Sequence, residues 1–171
     1  MFWFKALKSL LGVLQSSDSP YQIAFGVALG ALLGLTPLAT LQATLLFLIL
    51  MATKSNLGAA ALATPLFAAI ALLLDPLAHR IGYALLVQTP SLVPVWTRAY
   101  NAPLLPFTRF YNTVVLGEFI LGLILFVPLI FLSRQGVLYY RAHYQEKVSK
   151  WKVMKYLNIT KVTDILEKVK K

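Results

Sequence analysis

The chain has 171 residues, 58% of them hydrophobic and 13% charged, with no cysteine and a net charge of +10. An ordinary soluble domain carries roughly twice that charged fraction, so the composition points to a membrane protein, and the missing cysteines exclude a disulfide frame and any thiolate nucleophile or metal site. The basic excess is not a nucleic-acid footprint: residues 134–171 hold ten of the sixteen Lys/Arg and three of the six Asp/Glu, beside the last hydrophobic segment, which is the positive-inside pattern.

Residues 1–15 read as an amphipathic helix, with Trp3, Leu7, Leu10, Leu11 and Leu14 on one face and Lys5, Lys8 and Gln15 on the other. Aromatics opposite lysines suit a helix lying in the bilayer interface. The apolar run is too short for a signal peptide, and no small-residue cleavage site precedes Ser16. Asp18 or Ser19 can cap the next helix, with Pro20 in its first turn.

Residues 20–133 form the expected membrane domain. From Ile23 to Thr53 there is no charge, and Gly26, Gly30 and Gly34 recur every fourth position, a bare stripe on which another helix can pack closely. Pro37 interrupts the run, with Thr36, Thr40 and Gln42 around it. Each arm has about 16 residues, or some 24 Å of helix, against a hydrocarbon core of roughly 30 Å. The expectation is a helical hairpin, 21–35 and 38–53, broken at Pro37, rather than one long kinked helix. The polar backbone at the turn must then be buried in protein or line a wet cavity.

The order of residues here also resembles the domain of unknown function 2062 family of small bacterial membrane proteins. Pro20, Ala24, Gly26, Gly30, Pro37, Gln42, Lys54 and Asn56 carry the resemblance, followed by Thr64-Pro65 and Gly82. The chain departs from the family at Thr40, often Gly there, and at Thr64-Pro65, often Asn-Pro. The resemblance implies a bacterial inner-membrane protein and assigns no activity.

Residues 57–74 make a further apolar segment, broken early at Pro65, and Asp75-Pro76 reads as a fresh helix start leading 76–87. Asp75, His79 and Arg80 are either a cap and a snorkelling arginine at the membrane edge or a polar cluster facing the bundle interior. Residues 88–112 are a connector with four prolines, in which Trp96, Tyr100, Phe107, Phe110 and Tyr111 interleave with Arg98 and Arg109, a headgroup-level composition. Residues 113–132 are the cleanest transmembrane segment, with one charge, Glu118. That carboxyl either reaches the interface or pairs with Arg80 or faces Gln42 and Thr40. Residues 134–171 form a basic cytoplasmic tail, with Lys147, Lys150, Trp151, Lys152 and Lys155 in an amphipathic, membrane-surface stretch.

The expected fold is thus an all-α integral membrane protein: a broken hairpin, two further membrane segments and amphipathic helices at both ends. Both termini are expected in the cytoplasm of a bacterial multi-pass inner-membrane protein. No catalytic, cofactor or metal-ligand pattern is visible. The expected function is non-enzymatic: binding or moving an amphipathic substrate such as a lipid or lipid-linked phosphate, with Gln42, Asp75, His79, Arg80 and Glu118 as candidate contacts. The alternative is a membrane anchor that docks a larger partner. Membrane lipids and a homo-oligomer or a larger membrane or periplasmic partner are expected; nucleic acid is not.

Overall fold

The computed structural model describes residues 2–149, which contain helices and no strand. The expectations for the side chains of Trp3, Lys5 and Lys8, and for Lys150, Trp151, Lys152 and Lys155, lie outside what is described; Lys147 is exposed.

Helix α1 (Phe2–Leu14) packs on the later helices α4 and α6 through Val13, which is buried with Ile23, Ala59 and Val137. The linker that follows is pinned by Arg141, whose guanidinium donates to the carbonyls of Leu14 (3.3 Å), Ser16 (2.9 Å) and Asp18 (2.9 Å). Helix α2 (Pro20–Gly34) starts on a capping box: the Ser19 hydroxyl accepts from the Gln22 amide, and the Gln22 side chain accepts from the Ser19 amide at 2.8 Å.

Helix stops at Gly34 and restarts at Leu41, so residues 21–53 are not one rod. Helix α3 (Leu41–Ala52) then runs back to where α2 began, because the Asn56 amide donates to the Gln22 carbonyl at 3.0 Å. The two short helices are about 22 and 18 Å long, with a break at 35–40.

Helix α4 (Leu57–Leu86) leaves from that same end. A Cβ on Gly26 would strike Asn56, on Gly30 the backbone of Ala60, and on Gly34 the Thr64 carbonyl. The paired positions rise together, so α2 and α4 are parallel and in backbone contact. Helix α6 (Thr113–His143) is antiparallel to both: Arg134 lies over the Tyr21 ring (4.7 Å), Phe126 meets Phe25 edge-on (5.8 Å), and Gly122 receives Leu32. Gly117 abuts the Ala78 backbone and Gly82 the Thr113 backbone, which closes α4 on α6. Helices α2, α4 and α6 are therefore the core, with α3 outside against α2.

One expectation is corrected. Residues 57–74 and 76–87 are not separate segments, and Asp75 caps nothing: α4 runs unbroken through Pro65 and Pro76. Each proline removes one N–H from the helix ladder, whereas ending and restarting the helix would strand up to four N–H and four C=O groups at the ends. Ala71, Ala78 and Gly82, all buried, hold the second half against its neighbours. Helix α6 takes in the expected membrane segment 113–132 and continues to His143, and is followed by the single turn α7 (Gln145–Ser149).

The connector between α4 and α6 holds α5 (Val93–Tyr100) and two 3-10 turns, Pro90–Leu92 and Leu105–Thr108. Helices α4 and α6 are long and apolar enough to cross a membrane, and only 22% of the most apolar stretch of each is buried.

Candidate functional site

The break at 35–40 frees carbonyls at the end of α2, and threonines satisfy them. The Thr36 hydroxyl donates to the Leu32 carbonyl and the Thr40 hydroxyl to the Pro37 carbonyl, both at 2.7 Å. Thr40 also caps α3, accepting from the Ala43 amide. Thr36 and Thr40 are 3% and 4% exposed, so their hydroxyls are enclosed by protein, while Leu38 and Ala39 at the tip of the turn are exposed. Gln42 is buried one turn on, and its Oε1 has no hydrogen-bond partner.

Because Gly34 abuts Thr64 and Ala68, the break sits beside residues 64–71, about 10–20 Å along α4. A cavity of about 250 Å³ opens there, between Thr36, Pro37, Leu38, Thr64, Ala71 and the carboxyl-bearing Glu118 of α6. Glu118 is only 7% exposed. It lies on the inward stripe of α6 with Val115, Gly117 and Gly122, and its side chain forms part of the cavity wall. Asp75 on α4, half-buried, is its charged neighbour.

Beside the cavity runs an apolar groove of about 640 Å³, between α2, α3 and α4. Phe47, Met51, Leu57 and Ala61 line it, and Leu33, Leu38 and Thr64 belong to both spaces as a common wall.

The polar residues of α4 divide three ways. Asp75 turns inward to Glu118. His79 is exposed, and its Nδ1 lies 2.8 Å from the Thr113 hydroxyl, at the rim where α6 begins. Arg80 is exposed, and no ion pair joins it to Glu118 among the described residues. The expected Asp75–His79–Arg80 cluster is therefore not assembled on the interior, since positions 79 and 80 fall off the 71, 75, 78, 82 stripe that faces α6. The spacing of Asp75 from Ala71, Ala78 and Gly82 was the available signal for its place in that stripe. The groove had no comparable signal, because it arises from how α3 lies against α4.

At the far end, Trp96 stacks on Phe110 (5.6 Å) and donates its indole N–H to the Leu85 carbonyl at 2.9 Å, so the connector is tied to the end of α4. Tyr100 and Phe110 both meet Tyr111 edge-on.

Residues 5–146 match the model of the domain of unknown function 2062 family, described as an uncharacterized protein conserved in bacteria. The chain belongs to this family. An uncharacterized protein of Treponema pallidum (strain Nichols) is 31% identical over 145 residues, covering 84% of this chain and 88% of the relative. No solved structure matches the chain. The family match takes in the break, the cavity, the groove and the connector alike.

Proposed function

We propose that this family member is a non-enzymatic inner-membrane protein that binds an amphipathic ligand at the break between α2 and α3. In this reading α4 and α6 cross the bilayer, and α2 and α3 form a re-entrant hairpin whose turn is buried at Thr36, beside α4 and α6, and exposed at Leu38. Short, discontinuous helices enclosing polar backbone are how transporters build substrate sites inside a bilayer. Lys54, Arg134, Arg141 and Lys147 sit toward the end where α2 begins, which supports cytoplasmic termini.

The observation that carries the reading is the shared wall: an apolar groove of about 640 Å³ beside a smaller cavity of about 250 Å³ whose one charged lining residue is Glu118. The first suits an acyl chain and lies within the usual size range of ligand pockets. The second suits a head. Phosphate recognition by Arg80 does not support the reading, because that side chain points away.

The test is binding of a fluorescent single-chain amphipath to the purified protein in a neutral detergent. Ala61 lines the groove and is exposed, so Ala61→Phe fills space without entering the core. Loss of about two methylenes of burial, at ~0.8 kcal/mol each, is about tenfold in affinity. Unchanged affinity in Ala61→Phe rejects the groove as the tail site.

A second reading, an anchor that docks a larger partner, is favoured by the connector, where Tyr100, Leu104 and Phe107 are 58–65% exposed. Co-purification of a partner that is lost on deleting 145–171 or on replacing these three residues, with ligand binding absent throughout, supports it over the first.

A further inference from the structure

We propose that the head of the ligand is a cation, a primary or quaternary ammonium, held by Glu118 and Asp75; this rests on the amphipathic-ligand reading and names its chemical class. The buried carboxyl of Glu118 lines the cavity and accepts no hydrogen bond from any donor among the described residues. Its polar neighbour is the carboxyl of Asp75. Glu118 is the charged residue in walls otherwise made of Leu, Pro, Ala, Gly and Thr, and it and its neighbour Asp75 cannot both stay charged without a proton or a cation beside them.

The rest of the cavity has the same sign. The C-terminal end of α2, Gly34 and Leu35, forms part of its wall, and a helix C-terminus carries the negative end of the macrodipole. The Thr36 and Thr64 hydroxyl hydrogens are already donated to the carbonyls of Leu32 and Ala60, so these groups offer lone pairs rather than donors. No Lys, Arg or His lines the space among the described residues; His79 is occupied at the rim with Thr113, and Arg80 is exposed. A phosphate would meet acceptors on every side. An ammonium would meet acceptors and a compensating charge. The volume of about 250 Å³ exceeds what a bare metal ion fills, and the adjoining groove gives an organic cation a place for its chain.

The experiment compares decyltrimethylammonium, decyl phosphate and a neutral decyl maltoside as competitors for the fluorescent amphipath on the full-length protein. The expected result is that the ammonium displaces the probe at concentrations at least tenfold lower than the phosphate. Glu118→Gln removes most of that preference, and Ala61→Phe weakens all three alike. Asp75→Asn, at a partly buried position, gives a second readout should Glu118→Gln not elute as the parent protein does. Equal or tighter displacement by decyl phosphate, or a preference that survives both variants, overturns the cationic head and leaves the amphipathic-ligand reading standing. Failure of all three competitors, with no probe binding, overturns both.

Discussion

The α2–α4 contact makes a sharp prediction, because it is backbone against backbone. In Gly30→Ala the new Cβ would sit 2.7 Å from the Ala60 Cα and 3.0 Å from its carbonyl carbon. Carbon atoms rest at about 3.5–4.0 Å, so the helices must separate by roughly an ångström, and a gap of that size forfeits a quarter to a half of each contact's attraction. The neighbouring contacts at Gly26–Asn56 and Gly34–Thr64 loosen with it. Overpacking of this kind costs about 1–3 kcal/mol, and the helix preference of Ala over Gly returns at most about 1 kcal/mol. Gly136 is the internal control: it lies in α6 with nothing within 4 Å of its Cβ position, so Gly136→Ala collects the propensity gain alone. Reversible denaturant titration in mild detergent should place Gly30→Ala below the parent by up to about 2 kcal/mol and Gly136→Ala above it by about 0.5–1 kcal/mol. If Gly30→Ala is as stable as Gly136→Ala, the helices do not touch as described.

Arg141→Ala removes donors to three carbonyls of the linker after α1 and should destabilise by about 2–3 kcal/mol, with faster proteolysis between residues 14 and 19. Arg141→Lys should restore little of it, since one ammonium cannot reproduce the guanidinium fork; full rescue by lysine would refute the geometry. Thr40→Val deletes both the α3 cap and the donor to the Pro37 carbonyl, and should cost about 1–3 kcal/mol, read in the same titration, whereas Thr97→Val on the exposed connector should change stability by less than about 0.5 kcal/mol. The chain has no native cysteine, so single substitutions Lys54→Cys and Trp96→Cys report sidedness directly. A membrane-impermeant thiol reagent should label the first from the cytoplasmic side and the second from the opposite side, and labelling of both from one side would reject the proposed crossing of α4.

The one-dimensional pattern determined the helical class, the glycine stripe and the interruption near Pro37. These rest on local rules: apolar runs without charge, four-residue spacing and the turn chemistry of threonine beside proline. Two prolines were harder, since Pro65 and Pro76 carry the same local signal as Pro37 yet lie inside one helix. The difference is tertiary. Ala71, Ala78 and Gly82 give α4 a continuous seam for its neighbours beyond the prolines, while after Gly34 the chain turns away and its freed carbonyls are met by hydroxyls. The same seam makes Asp75 the neighbour of Glu118, 43 positions away on the opposing helix, rather than a cap, and leaves Arg80 exposed. Residue types along the chain could name the polar groups of the membrane domain. Only the parallel seating of α2 on α4 and the antiparallel return of α6 decided which of them meet, because that choice depends on which helix faces are small enough to touch.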